Sequence, residues 1–447
     1  MSEMKANACY NHPTNGLSND SNHSQSPKIG ELEVTSIPLA LYIHIPWCIK
    51  KCPYCDFNSH ELPEHSSISM YDEYVDALLA DAKLQQPLAQ GRKLVSIFIG
   101  GGTPSLLPII HYQRLFHGLR QCFDFCDDIE ITMEANPGTL EHAPFREYLQ
   151  VGINRLSIGV QSFSADKLKT LGRIHDPKQA LTAIQAAREA GFSRVNVDLM
   201  HGLPQQSLVE ALHDIQLAHD TGATHISWYQ LTIEPNTVFY REQPILPDED
   251  NLADIEEAGQ ALLQSLGYQN YEVSAWVGRL DKPCRHNLNY WQFGDYLAIG
   301  AGAHGKVSIN PAKLAKKHVD LFDQSSIESG IYRFSKSRLP RDYINYKDYV
   351  DYKGLRDNTE RVIAPKMVGW QPIAGDEMVS EFMLNALRLH DGVTWQLFET
   401  RTGLNYSAIA KPIEKLITQK LLVANAEKLQ TTKLGQRYLN QILREFL

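Results

Sequence analysis

From residue 37 to about 235, short apolar runs rich in Ile, Val and Leu alternate with longer stretches whose apolar residues fall at helical spacing. The short runs are LALYIHI, LVSIFIG, DIEITME, RLSIGVQS, RVNVDLM and HISWYQLT, and each has the length and β-branched content of a buried strand. Between them lie segments such as YDEYVDALLADAKLQQ and DPKQALTAIQAAREAG, which place apolar residues on one face of a helix. Strand, helix, strand, helix predicts parallel pairing with helices outside the sheet. Six such units fall short of the eight that close a barrel, so the expected α/β fold is an open or partial (β/α)6 TIM-like barrel.

Polar or glycine-rich words follow nearly every strand: PWCIKKC, GGGTP, EANPG, QSFS, HGLP and IEPNT. The C-terminal ends of the strands form the active face of such a barrel, so this repeated placement points to a site there. Past residue 250 the rhythm changes. A helix-like DNLADIEEAGQALLQSLGYQNYE leads into CRHNLNYWQFGDYLAIGAGAHG, a polar Tyr-, Arg-, Lys- and Asp-rich stretch follows, and helical runs close the chain. The expected organisation is a tail over residues 1–36, a barrel over 37–245, an extension over 246–335, a linker over 336–375 and a mostly helical, winged-helix-like domain over 376–447. No repeat of fixed period is present.

Hydrophobic residues make up 43% of the 447, enough for a sizeable core. No run of about 18 apolar residues occurs, so no transmembrane span is expected. The first thirty residues have neither the basic start and apolar middle of a secretory signal nor the arginines of a transit peptide, and their Asn, Ser, His and Pro read as a disordered tail. A net charge of −9 disfavours a general nucleic-acid binder. Seven cysteines without framework spacing suggest metal binding in a reducing compartment rather than disulfides. A cytoplasmic location follows as an expectation, with peripheral contact to a membrane left open. Cys122 and Cys126, four apart, could face one another on a helix, although two ordinary thiols is the plainer reading.

Cys48, Cys52 and Cys55 stand at C-x3-C-x2-C, and Phe57 occupies the place where a further thiolate might be expected. A zinc knuckle would need a second pair of ligands, for which Cys284 and His286 are the available candidates. Three thiolates can instead hold three irons of a [4Fe–4S] cube and leave the fourth open to a small chelating molecule.

The cysteine spacing, followed by a strand and then GGG-x-P, resembles the radical S-adenosylmethionine (SAM) superfamily. That resemblance implies a [4Fe–4S] cluster on Cys48, Cys52 and Cys55, with SAM chelating the open iron through its methionine end, where an electron from the cluster can cleave the sulfonium bond. Gly100, Gly101, Gly102 and Thr103 resemble the stretch that meets the methionine amino group, glycine allowing close backbone approach. Glu134, Gln161, Arg173 and Asp198 match in order the SAM-contacting positions of the coproporphyrinogen III oxidase branch, as do Tyr42 and Tyr54. The resemblance runs from about Leu41 to the C-terminus, apart from the linker.

Within that branch, oxygen-independent coproporphyrinogen III oxidases carry C-x3-C-x2-C-x-C, whereas the heme-chaperone group carries CPYCDFNSH, with Phe57 at the extra cysteine. CRHNLNYW at 284–291 matches the H-N-x-x-Y-W signature of the heme-chaperone group. The resemblance therefore implies that His286, Asn287, Tyr290 and Trp291 contact heme, with His286 a chemically sensible axial ligand and the aromatics suited to stack on a macrocycle. A hydrogen-bonded His–Asn pair within an aromatic core is the alternative. The expected function is delivery of heme to a hemoprotein, such as a membrane-bound respiratory enzyme, rather than coproporphyrinogen III dehydrogenation. The alternative is a radical SAM enzyme that decarboxylates a tetrapyrrole.

Overall fold

The computed structural model of the chain describes residues 32–63, 68–138, 145–314, 328–345 and 368–447. Residues 1–31 of the expected tail and 346–367 of the expected linker lie outside them.

All six expected strands form: β1 (Leu39–Ile45), then, past the short β2 (Trp47–Cys48) and β3 (His60–Glu61), β4 (Leu94–Gly101), β5 (Phe125–Ala135), β6 (Arg155–Gln161), β7 (Val195–His201) and β8 (His225–Gln230). They lie side by side in chain order, each parallel to the next, with Tyr42 opposite Phe98 and Asp198 opposite Ser227. Every residue of β1 is buried, which accounts for an apolar run without alternation.

The crossover helices are α1 (Ile68–Gln85), α2 (Ile109–Cys122), α3 (Phe145–Val151), α4 (Ala165–Thr170), α5 (Pro177–Glu189) and α6 (Leu208–Asp220). Their starts are written in the sequence. Asp176 and Gln179 close a capping box at α5 with Pro177 at its first position, and Ser207 and Glu210 do the same at α6. Cys122 ends α2 while Cys126 already belongs to β5, so the two do not face one another on one helix.

After α7 (Val238–Glu242) and α8 (Glu249–Ser265), the extension enlarges the sheet on both sides. β9 (Gln269–Glu272) and β10 (Ala275–Val277) form an antiparallel hairpin on β8. Helix α9 (Arg285–Trp291) leads to β11 (Asp295–Ile299), a seventh parallel strand that docks on β1. The antiparallel β12 (His304–Ile309), β13 (Gly330–Ser335) and β14 (Val368–Pro372) follow on β11. The order β14-β13-β12-β11-β1-β4-β5-β6-β7-β8-β10-β9 leaves two free ends, so the barrel stays open.

At the C-terminus, helices Gly375–Ala386, Trp395–Thr402 and Ala410–Thr418 pack with a small antiparallel sheet of β15 (Val393–Thr394), β16 (Leu422–Ala424) and β17 (Lys428–Thr431). Their core reaches well outside the unit: Leu32, Val34, Tyr290, Trp291 and Phe293 are buried in it with Met378 and Phe382. Residues 32–36, expected to belong to the tail, are thus part of the folded protein, with Leu32 and Val34 as apolar anchors.

The first part of the expected linker is also fixed. Lys336 and Tyr343 are buried, and each bonds a different oxygen of Asp81 on α1 at 2.7 Å.

Candidate functional site

The cysteine loop leaves β1 and is folded back on itself by the parallel pairing of β2 with β3, Trp47 opposite His60 and Cys48 opposite Glu61. His44, buried at the end of β1, holds the far side: its Nε2 lies 2.9 Å from the Asn58 carbonyl, and Tyr42 Oη lies 3.0 Å from its Nδ1. The Asn58 side-chain amide in turn donates to the carbonyls of Ala301 and Arg338 at 3.0 and 2.8 Å. A loop with little secondary structure of its own is thereby tied to three separate parts of the chain.

Cys48, Cys52 and Cys55 line one cavity of about 1430 Å³, counting its open mouth. Each thiol has a polar neighbour: Thr103 Oγ1 donates to Cys48 Sγ at 3.5 Å, Arg173 Nη1 to Cys52 Sγ at 3.7 Å, and Ser59 Oγ lies 3.7 Å from Cys55 Sγ. Burial pushes the Cys48 thiol above its ordinary value and that of Cys55 up to about 11. Coordination to a cation would reverse this and hold them as thiolates.

Among the described residues, no group of three or more His, Cys, Asp or Glu is arranged to hold a single metal ion. A cube that takes one thiolate on each of three irons makes no such demand, and the donor set fits it. Phe57 lines the same cavity and brings no fourth sulfur. Nor do Cys284 and His286 supply one: Cys284 is buried against Glu130, its Sγ 3.3 Å from Oε1, and neither residue lines the cavity.

The ends of β4 to β8 make the adjoining wall. Gly101, Gly102, Thr103, Glu134, Gln161, Arg173, Asp198 and Tyr54 all face the cavity with the thiols. Glu134 Oε2 accepts from the Gly101 amide at 3.3 Å. Asp198 accepts from Ser157 Oγ at 3.0 Å and from Asn196 Nδ2 at 2.8 Å. Burial raises the pKa of both carboxyls, Glu134 to about 7, and the charge of Asp198 adds to the rise at Glu134. Two buried carboxyls on one wall, with Arg155 only partly offsetting Asp198, are suited to a ligand that carries positive charge and hydroxyls.

Gln161 ends β6 at a φ of +71° and accepts from Tyr229 Oη at 2.8 Å. Such a backbone in a residue with a Cβ is held against its preference, as happens at functional sites. Burial works against the Arg173 charge, but Tyr54 and Cys52 outweigh it and keep the guanidinium firmly protonated. Its Nη2 is anchored on the Gly159 carbonyl at 2.7 Å.

The glycines have a structural reason of their own. A Cβ on Gly101 would stand 2.6 Å from the His44 ring, and one on Gly102 2.5 Å from the Trp47 carbonyl. They allow β4 to close on the root of the cysteine loop while both line the cavity.

Tyr42 is not on the cavity; it lies behind Phe98, whose ring stacks on it at 6.4 Å. His286 is in the same layer, 1% exposed, its ring stacked on Phe98 at 4.1 Å in a nearly parallel plane, and 4.9 Å from Tyr290. Burial lowers the pKa of this imidazole to about 3, so it is neutral. His286, expected as the axial ligand, does not itself line the cavity in this structure. Tyr290 stacks on Tyr296 at 4.2 Å and does not line the cavity either. Of the four residues expected to contact heme, Asn287 and Trp291 do line it.

Sequence reasoning missed Tyr229, Arg155, Asn196, Glu272 and Arg388, which share the wall. Strand alternation within HISWYQ and RVNVDLM could have found Tyr229 and Asn196. Nothing local marks Arg388, which enters from the C-terminal unit.

Thiols without a fourth partner, set at the C-terminal rim of parallel strands beside two buried carboxyls, define the cofactor face of a radical SAM protein, and the family model described as "Radical SAM superfamily" matches residues 42–218. A second model, "HemN C-terminal domain", matches residues 373–438. The heme chaperone HemW of Haemophilus influenzae is 44% identical over 414 residues, covering 92% of this chain and 98% of its own. That of Escherichia coli is 44% identical over 413 residues, again at 92% and 98%, and that of Bacillus subtilis is 31% identical over 425, at 91% and 98%. The chain belongs to the HemW family. Among solved structures, the coproporphyrinogen III oxidase HemN of Escherichia coli aligns with a TM-score of 0.70 at 22% identity, over 92% of this chain and 90% of that one, and so shares its fold.

Proposed function

We propose that this protein binds heme and passes it to a hemoprotein while carrying a [4Fe–4S] cluster and SAM, with Cys48, Cys52 and Cys55 as the cluster's protein ligands. The observation that carries the reading is one continuous cavity: it joins the three thiols and buried carboxyls of the barrel rim to Asn287 and Trp291 in the H-N-x-x-Y-W word. Relatives of near-equal length that share 44% of its residues are heme chaperones.

The cluster would supply an iron without a protein thiolate, at which the amino and carboxylate groups of SAM chelate. The chain's own residues do the rest. Thr103, Arg173 and Ser59 support the three sulfurs, Glu134 and Asp198 offer carboxylates to the cationic and hydroxyl-bearing parts of SAM, and Gln161 and Tyr54 close its sides. On the other wall the Trp291 ring gives a flat face for a porphyrin edge. His286 and Tyr290 support that wall from behind, and Tyr42 backs the Phe98 layer.

Among the described residues no helix is long and apolar enough to cross a membrane. The recipient we envisage is a membrane-bound respiratory hemoprotein, met by a cytoplasmic donor at the membrane surface.

The test is an anaerobic comparison, on one cluster-replete sample, of hemin binding and coproporphyrinogen III turnover. Hemin binding without turnover is expected, even with SAM and a reductant supplied. Formation of protoporphyrinogen at an enzymatic rate would overturn the chaperone reading in favour of a decarboxylase.

A further inference from the structure

Arg388 follows the last turn of helix Gly375–Ala386 and is brought onto the cavity by two main-chain contacts. Leu389 bridges to Glu272, and the His390 amide donates to the Tyr271 carbonyl at 3.1 Å, so the C-terminal unit is latched to the β9–β10 hairpin at the rim. The Arg388 side chain is 7% exposed. Its Nε donates to the Leu384 carbonyl at 3.1 Å, and the guanidinium carbon lies 5.1 Å from the Trp291 ring centroid. Among the described residues its two terminal nitrogens make no hydrogen bond.

A guanidinium carries five N–H donors, and four of these are unanswered here. Glu272 is the nearest opposing charge, yet burial still pulls the guanidinium below its usual pKa. Trp291 adds an independent sign: its indole N–H, buried on the same wall, has no acceptor among the described residues. A guanidinium with open N–H donors at the cavity edge, lying over an indole whose buried N–H has no acceptor among the described residues, calls for an anionic oxygen ligand.

We propose that Arg388, held over the Trp291 ring, is the seat for one propionate carboxylate of the heme, so that the C-terminal unit rather than the barrel reads the acid side chains of the macrocycle. This rests on the heme-binding reading above. A planar guanidinium matches a carboxylate through two parallel N–H···O bonds, and stacking on an aromatic face fixes its plane without using those donors. The SAM carboxylate is the other candidate anion, but its place is with the cysteine loop and β4. The cysteine loop and β4 belong to the barrel, whereas Arg388 and Trp291 belong to the C-terminal unit and α9.

The experiment titrates hemin and hemin dimethyl ester, which lacks the propionate charges, into the cluster-loaded full chain and its Arg388→Gln, Arg388→Lys and Trp291→Phe variants. Iron content and SAM affinity are measured alongside as controls. R388Q should weaken hemin binding about ten- to a hundredfold and leave ester binding, iron content and SAM affinity unchanged. R388K should recover part of the loss, and W291F, which keeps a flat ring but removes the N–H, should weaken hemin and spare the ester. The assignment is overturned if the wild type binds acid and ester equally, if R388Q weakens both alike, or if it weakens SAM instead. Were R388Q to precipitate, the wild type's own preference for acid over ester decides. A wild type that binds neither porphyrin refutes the proposed function itself, and this assignment with it.

Discussion

Glu134 shows how the site is poised before any ligand arrives. Its carboxyl ordinarily ionises near 4.5, but burial, with Asp198 beside it, raises that to about 7. A cation entering beside it favours the ionised form. SAM affinity of the cluster-loaded protein is therefore expected to be about tenfold weaker at pH 6 than at pH 8, because at pH 6 about a tenth of the carboxyl is ionised. Glu134→Gln should bind more weakly at pH 8 and lose most of that slope; calorimetry at several pH values measures it. The sign for folding is the reverse. A carboxyl whose folded pKa is raised binds more protons folded than unfolded between 4.5 and 7, so its contribution to apo-protein stability declines as pH climbs through that window. A steeper SAM profile in E134Q than in the wild type would place the cation elsewhere.

His286 makes the contrary point. Its imidazole is a plausible ligand by chemistry and a core ring by geometry, packed between Phe98 and Tyr290. Replacing it by Ala should destabilise the fold by about 2–4 kcal/mol through the cavity left behind. The Soret maximum of bound heme should stay where it is. A shifted Soret band in His286→Ala would mean that the ring leaves its stack to meet the iron.

Among the elements, the six barrel strands were the most legible. β1, β4, β6 and β7 are buried along nearly their whole length and carry no regular polar alternation, because a parallel strand covered by helices has no wet face. β11 was not legible. DYLAI is five residues long and sits inside a word read for its chemistry, and its parallel partner β1 lies some 250 residues earlier in the chain, beyond the reach of any local pattern. The cavity wall divides along the same line: residues in strand-end words could be expected, whereas Arg388 depends on how a distant unit docks. Polar composition also misled at 336–345, where Lys336 and Tyr343 are buried because Asp81 awaits them inside α1.

That ion pair permits a prediction at the same scale. Lys336 and Asp81 are each 1% exposed, joined at 2.7 Å, with Gln85 donating to the same carboxylate at 3.0 Å. Removing the ammonium leaves a buried carboxylate short of its cation, which is costly. Lys336→Met should lower unfolding free energy by about 3 kcal/mol, and adding Asp81→Asn should restore most of it, as read from denaturant titrations. Additive losses in the double variant would show that the two are not coupled.

For the molecule as a whole, the cofactor loop and the cores that hold the chain together are distinct. The barrel core runs through β1 and its neighbours with α1, α2 and α5, and the second core ties Leu32, Val34 and α9 to the C-terminal helices. Cys48, Cys52 and Cys55 are only half-buried at the rim, and the loop that carries them is fixed by His44, Asn58 and the β2–β3 pairing rather than by the sulfurs. The chain should therefore fold without its cluster. Replacing all three by Ser keeps size at partly exposed positions, so the melting temperature of the apo protein should move by no more than about 2 °C. Iron after anaerobic reconstitution should fall from about four atoms per chain to background. SAM affinity should fall with it, because chelation at the open iron is lost while Glu134 and Asp198 remain. A triple variant that still took up about four irons would refute the ligand assignment. One that lost iron but kept full SAM affinity would leave the thiols as ligands and show that the carboxyl wall alone holds SAM.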